Sequence, residues 1–218
     1  MTASPPGPTE VYVVIEGAIG VGKTTLAPVL AQRLGARLLL ERPEDNPFLP
    51  RFYREAAQAA FSTQLSFLLQ RAGQAEQLRQ RELFGSGCVS DFLFDKDRLF
   101  AELTLSRTDF ALYERVFERL AWGLPVPDRV ILLQAPVAVL KGRVDARGRE
   151  YERDLAPDYL ARLIDHYGRF FRDYRQAPVI EVDTTVLDPA HVPDHLEQLL
   201  AALTDPAPHQ RLPARRLL

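Results

Sequence analysis

The run Gly17-Ala18-Ile19-Gly20-Val21-Gly22-Lys23-Thr24 sets glycines, a lysine and a hydroxyl at the G-x-x-x-x-G-K-[ST] spacing. Phosphate chemistry needs these residue types in this order. The glycines let the backbone curl until successive N–H groups face one set of oxygens, at the positive end of the helix that follows. Lys23 is a mobile point charge for the β- and γ-phosphates, and the Thr24 hydroxyl is a ligand for magnesium. Gly17, Ala18, Ile19, Gly20, Val21, Gly22, Lys23, Thr24 and the following Thr25 are therefore the candidate residues for binding ATP with Mg2+.

Three further constellations suit the transfer of a phosphoryl group. Glu41 closes the apolar run Arg37–Glu41, and the C-terminal tip of a parallel strand is where ligands of such folds sit. A carboxylate there accepts the proton of an alcohol while holding it in line with the γ-phosphate. Gln64 and Arg71 lie seven residues apart, on nearly the same side of a predicted helix, with Phe67 between them. An amide that donates and accepts, beside an aromatic ring, suits the edge of a nucleobase. Arg143 and Arg147 share a helix face, and Gly148 frees the segment that carries Arg149 to close as a lid. Guanidinium groups delivered that way neutralise charge on the transferred group and exclude water.

The elements that position these residues are readable from periodicity. Val11–Glu16, Arg37–Glu41, Cys88–Leu93, Val130–Gln134 and Val179–Val182 are short apolar runs, as strands buried on both faces should be. Helical patterns separate them: Thr24–Leu34, about Arg51 to Glu82, Asp109–Ala121, Val137–Arg147, Pro157–Tyr174 and Pro189–Leu203. Strands alternating with helices predict one α/β domain with a five-stranded parallel sheet and helices on both faces. Its expected bounds are 11–203, with a disordered lead-in over 1–10 and a solvated tail over 204–218 carrying Arg211, Arg215 and Arg216.

Composition sets outer limits. The 218-residue chain has 46% hydrophobic and 26% charged residues, an ordinary globular balance, so one sizeable core is expected. A formal net charge of -2 argues against a nucleic-acid polymer as partner, because a polyanion-binding surface needs a basic excess. The single cysteine, Cys88, and a first segment unlike an export signal point to the cytoplasm. No apolar run approaches the ~20 residues needed to span a bilayer, so no membrane partner is expected. A GTPase reading fails for want of an Asn-Lys-x-Asp base-reading motif.

In this order, several segments resemble the deoxynucleoside kinase family, in particular its bacterial deoxyadenosine/deoxyguanosine kinase branch. They are Ile15 through Thr24, Leu40-Glu41-Arg42-Pro43-Glu44-Asp45-Asn46-Pro47-Phe48-Leu49, Phe52-Tyr53, Phe61-Ser62-Thr63-Gln64-Leu65, Ser90 through Asp97, Leu133-Gln134-Ala135-Pro136, and Arg147-Gly148-Arg149-Glu150-Tyr151-Glu152-Arg153-Asp154. The resemblance implies a P-loop kinase with strand order 2-3-1-4-5, a mobile lid around Arg147–Arg153, and a homodimer packed through helices beside the long 51–82 stretch. It implies ATP-dependent phosphorylation of the 5′-hydroxyl of a deoxynucleoside, with a purine suggested by the branch. By the same resemblance, Glu41 is the general base, Gln64 reads the base, and Arg71 lies close to both. Tyr53, and Glu152 from the lid, contact the deoxyribose 3′-hydroxyl, and Asp97 faces the base. Lys23 and Arg147 join Glu41 as catalytic residues.

One departure from the family pattern is plain. Where most members have an Asp/Glu-Arg-Ser/Thr/Tyr motif at the end of the third strand, this chain has Ser90-Asp91-Phe92-Leu93. Asp91 is then a magnesium ligand or a proton acceptor, in place of or together with Glu41. Arg42, Arg71 and Lys96 are the candidates for the missing positive charge. Two rivals stay open: a thymidylate-type nucleoside monophosphate kinase, whose acceptor phosphate Arg42 and Arg71 could bind, and a non-catalytic nucleotide-binding subunit, which the missing arginine favours.

Overall fold

A computed structural model describes residues 11–79, 87–153 and 155–213. The lead-in 1–10, residues 80–82 of the long helical stretch, Asp154, Arg215 and Arg216 lie outside the described residues. The first strand, β1 (Tyr12–Glu16), is buried along its whole length, as a strand covered by helices on both faces must be. It sits in the middle of a parallel sheet formed with β2 (Arg37–Leu39), β3 (Cys88–Ser90), β4 (Arg129–Gln134), β5 (Val179–Asp183) and β6 (His209–Leu212). The order β2-β3-β1-β4-β5-β6 contains the implied 2-3-1-4-5 and adds one strand. Because β1 has β3 on one side and β4 on the other, the chain leaving it faces the crevice where strand order reverses.

The sixth strand corrects the expectation of five, and it falls within the segment read as a tail. His209–Leu212 pairs in parallel with β5, from Val179 opposite His209 to Val182 opposite Leu212. Its residues look polar because it is an edge strand between Pro208 and Pro213. Arg211 is held by Glu181 of β5 through two hydrogen bonds, at 2.9 and 2.5 Å, so the charge is part of the pairing rather than a sign of solvation.

The helices are α1 (Lys23–Leu34), α2 (Leu49–Arg54), α3 (Ala56–Arg79), α4 (Lys96–Thr104), α5 (Arg107–Ala121), α6 (Val137–Arg147), α7 (Pro157–Asp173) and α8 (Pro193–Thr204). The long helix expected from Arg51 is broken at Glu55, whose φ of -136° and ψ of 58° leave the helical region. The break turns Tyr53 on α2 toward residues of α3. Helix α4 was not expected. Its first turn carries Lys96, Asp97 and Arg98, which reads as solvated loop, yet Lys96 and Asp97 are buried. Among the described residues no helix is long and apolar enough to cross a membrane.

The main core lies between the sheet and the helices that cover it, with Val13, Leu30, Ile131, Leu140, Leu163 and Ile180 fully enclosed. Two smaller apolar clusters stand apart from it. One joins α2 to α3 through Leu49, Phe52, Ala59 and Ala60. The other joins α3, α4 and α5 through Leu68, Ala101, Tyr113 and Phe117. Together these clusters hold α2, α3, α4 and α5 to one another.

Candidate active site

Between β1 and α1 the loop makes three left-handed glycines, Gly17, Gly20 and Gly22, with φ of 143°, 84° and 110°. A Cβ on Gly17 would sit 2.4 Å from the Leu133 carbonyl oxygen, and one on Gly20 2.8 Å from that of Leu140. Only glycine fits at either place. Gly22 instead meets nothing within 4 Å, so its side faces open space in front of α1. Ala18 and Val21 turn their side chains into the core and leave only backbone for a ligand. Lys23 Nζ donates to the carbonyls of Gly17 at 2.7 Å and Ala18 at 3.3 Å, lying back along the loop. A cavity of about 500 Å³ opens there, lined by Gly20 to Thr25, Arg143, Arg147 and the Thr184–His191 region. Arg143 donates to the Thr184 hydroxyl and carbonyl, both at 2.8 Å, and so fixes α6 to the segment after β5.

Asp91 ties this loop to the opposite wall. Its Oδ2 accepts from the Thr24 hydroxyl at 2.9 Å, and its Oδ1 accepts from the Glu41 backbone N–H at 2.6 Å. Burial pushes the Asp91 carboxyl above its usual range, against the pull of those hydrogen bonds and of Lys96. Glu41 stands two residues beyond β2 rather than at its tip. Asp91, not sheet pairing, therefore sets its place.

Around the Glu41 carboxylate lies a buried charge network. The Arg71 guanidinium pairs with Glu41 Oε1 and with Asp97, while Lys96 Nζ lies 3.2 Å from Glu41 Oε2 and 3.4 Å from Glu16 Oε1. Burial alone would raise Glu41, but Arg71, Lys96 and Lys23 outweigh it and hold the carboxyl at about 2. Glu41 is thus an ionised acceptor at any physiological pH.

Gln64, Phe67, Arg71 and Tyr53 share with Glu41 and Lys96 the walls of a narrow compartment of about 90 Å³. Gln64 is 3% exposed and Arg71 4%, so neither is the surface residue it would be on an isolated helix. The Arg71 guanidinium lies 5.0 Å over the Phe67 ring, a cation–π contact. Thr63 Oγ1 and Arg71 Nε are buried without a hydrogen-bond partner among the described residues. Such atoms are available to a polar ligand. Asp97, fully buried, reaches this region only through its pair with Arg71.

Helix α6 ends at Gly148, whose φ of 69° turns the chain into the segment Arg149–Arg153. Arg147 pairs with Glu152 at 2.5 Å, and Arg149 donates to the Tyr151 hydroxyl at 2.9 Å. The Tyr151 ring stacks on Tyr53 at 5.9 Å. The lid arginines are thus paired within the lid, and Glu152 and Tyr151 close the compartment from above. Arg147 also lines the loop cavity, and with Arg149 it lines the groove of about 710 Å³ that runs from Thr24 to Glu41.

Sequence reasoning missed Glu16 and Tyr167, and it named Lys96 only as one of three candidates for the missing positive charge. Glu16 was hidden at the end of an apolar strand, and the Tyr167 hydroxyl reaches it from α7 at 2.9 Å. The available signal was a charged residue closing an otherwise wholly apolar run, because a carboxylate buried there needs partners.

The comparisons with known proteins agree with this geometry. The family model described as deoxynucleoside kinase matches residues 13–205. A deoxyguanosine kinase from Bacillus subtilis is 34% identical over 170 residues, covering 78% of this chain and 82% of that protein. A deoxyadenosine kinase from Dictyostelium discoideum is 30% identical over 198 residues, covering 88% and 78%. The solved structure of a deoxyadenosine kinase from M. mycoides with bound dATP superposes with a TM-score of 0.76 at 23% identity, covering 89% of this chain and 100% of that one, which speaks for the fold. With the loop, the carboxylate opposite it and most of its length matched, the chain belongs to the deoxynucleoside kinase family.

Proposed function

We propose that the chain transfers the γ-phosphoryl group of ATP to the 5′-hydroxyl of a purine deoxynucleoside, in the cytoplasm. The observation that carries this reading is Asp91, which bonds Thr24 on the phosphate side and Glu41 on the acceptor side. It sets an ionised carboxylate across a groove from the loop that grips the triphosphate. Glu41 orients the acceptor hydroxyl and takes its proton as the phosphoryl group departs, a late and partial demand in a loose transition state. That division of labour leaves Asp91 with both oxygens engaged, as a strut and a metal ligand rather than the base.

Among the described residues no cluster of three or more His, Cys, Asp or Glu side chains forms a metal site by itself. Magnesium needs none, since it binds one or two protein oxygens and completes its shell with phosphates and water. The Thr24 hydroxyl and the Asp91 carboxylate, 2.9 Å apart, are hard oxygen donors that fit it. Bound there, magnesium supplies positive charge to the β- and γ-phosphates.

Gln64 offers an amide to the base edge, Phe67 a ring against its face, and Tyr53 and Glu152 the sugar side. A nucleoside needs more room than the closed compartment gives, so Tyr151 must swing off Tyr53 to admit it. On closure, Arg147 and Arg149 exchange partners from Glu152 and Tyr151 to the transferred group. Arg42 is exposed and Arg71 is already paired with two carboxylates, which leaves an incoming acceptor phosphate poorly provided for. This speaks against the monophosphate kinase.

Labelled ATP and a panel of the four deoxynucleosides plus thymidine monophosphate test the proposal. Turnover should be highest with deoxyguanosine or deoxyadenosine. Preference for the monophosphate, or no acceptor at all with ATP still bound, overturns it.

A further inference from the structure

Lys96 is the first residue of α4 and its side chain is 4% exposed. A buried ammonium is costly unless opposite charges surround it, and this one lies between two carboxylates, Glu41 on one side and Glu16 on the other. The two partners differ in how firmly they are held. Glu16 accepts from the Leu93 N–H at 2.7 Å, the Gly17 N–H at 3.0 Å and the Tyr167 hydroxyl at 2.9 Å. It is an immobile end of β1. Glu41 sits in a loop past β2, and Asp91 holds only its backbone.

We propose that Lys96 is a positioning residue for the acceptor step, fixing the Glu41 carboxylate by strapping it to the rigid carboxylate of Glu16. This rests on the role of Glu41 proposed above. The strap is itself anchored twice. The Lys96 backbone N–H donates to the Leu93 carbonyl at 3.2 Å, and the Leu93 N–H donates to Glu16, so the start of α4 is registered on the end of β1 before the side chain contributes. Lys96 thus fixes Glu41 against the strand that launches the phosphate-binding loop, and acceptor and donor share one reference frame.

The other cations near the site do not supply this link. Arg71 takes the other oxygen of Glu41, but its second partner is Asp97 on α4, not the end of β1. Lys23 is turned to loop carbonyls, and Arg42 is exposed. Without Lys96, Glu16 keeps its three hydrogen bonds and Glu41 keeps Arg71, but no cation lies between the two carboxylates, and Glu41 is free to swing with Arg71. A displacement of about 1 Å at an acceptor-orienting group costs on the order of 100-fold in turnover.

The test is steady-state kinetics with a deoxynucleoside on Lys96→Met, Lys96→Arg, Glu41→Gln and the double variant Glu41→Gln/Lys96→Met, each normalised to its ATP-binding fraction. Lys96→Met should lower kcat about 100-fold, with KM for ATP unchanged. Lys96→Arg should restore most of the loss. In the Glu41→Gln background, Lys96→Met should cost little more, since it acts through a carboxylate no longer there. Lys96→Gln reads the same quantities should the methionine variant fail to fold. Normal kcat in a neutral Lys96 variant, or a loss that adds in full to that of Glu41→Gln, overturns the proposal. If Glu41→Gln itself turns over normally, the reading of Glu41 fails instead, whatever Lys96 does.

Discussion

The phosphate-binding loop takes its shape from backbone within one short stretch, Gly17 to Thr24, whereas the acceptor compartment beside it is assembled from side chains of distant elements. Its Tyr167–Glu16 hydrogen bond spans 151 residues of chain. In the loop, three left-handed glycines and the N-terminus of α1 provide the geometry, and Lys23 provides the charge. In the compartment, the carboxylates of Glu16, Glu41 and Asp97 are paired with Arg71 and Lys96, and no backbone motif sets their places. A site made of backbone should fail through strain, and one made of paired charges through imbalance. The two regions can therefore be damaged separately, and the damage should look different.

The largest separation should come from Glu41→Gln. The amide keeps the shape and removes the proposed proton acceptor, so kcat should fall roughly 1000-fold, within the range of general-base losses. ATP affinity, measured by calorimetry or fluorescence, should stay within about twofold, because the loop does not touch that side chain. A matching loss of ATP binding would show that the two regions are one.

Gly20→Ala is the reverse experiment. Its φ of 84° is strained for any residue with a Cβ, and the added methyl meets the Leu140 carbonyl oxygen and the Val144 side chain, both at 2.8 Å. The cost should be about 2 kcal/mol of folding stability by denaturant titration, the usual scale of a forced left-handed residue. kcat/KM for ATP should fall with it, while deoxynucleoside binding stays close to normal. Equal weakening of both substrates would mean that α6, pushed by the methyl, carries the lid out of place.

The same contrast decides what could be read in the sequence. The loop was legible because backbone sites are written contiguously, with glycines at positions that no other residue tolerates. Glu41, Gln64 and Arg71 were legible as types at suggestive spacings, and the structure brings all three to one compartment. Asp97 was named as facing the base and Lys96 as a candidate charge, but their burial and partners were not legible, because burial of charges depends on residues far away in the chain, and a charged first turn reads as solvent-facing until Glu16, Glu41 and Arg71 are beside it. Strand β6 was missed for a related reason. Arg211 looked like tail, and only Glu181 on the neighbouring strand makes it part of the sheet. The break at Glu55 left no local mark, since neither glycine nor proline sits there.

Lys23 belongs to both regions, and its titration gives the smallest but most discriminating effect. Burial, helped by the Lys96 ammonium, lowers it from the ordinary 10.5 to about 8, against the pull of Glu16, Glu41 and Asp91. In the free protein the charge that grips phosphate is present below pH 8 and is lost as pH rises through it. kcat/KM for ATP, which reports the free enzyme, should therefore fall about tenfold per unit above pH 8. Stability should move the other way. Between pH 8 and 10.5 the unfolded chain holds a proton that the folded one has released, so this group makes the ligand-free protein more stable as pH rises. Lys23→Arg, charged throughout, should abolish the kinetic limb, and Lys96→Met should shift it to higher pH by removing the neighbouring ammonium. A limb that stays in place in Lys96→Met would mean that the two regions are electrically insulated, and that burial alone sets the loop lysine.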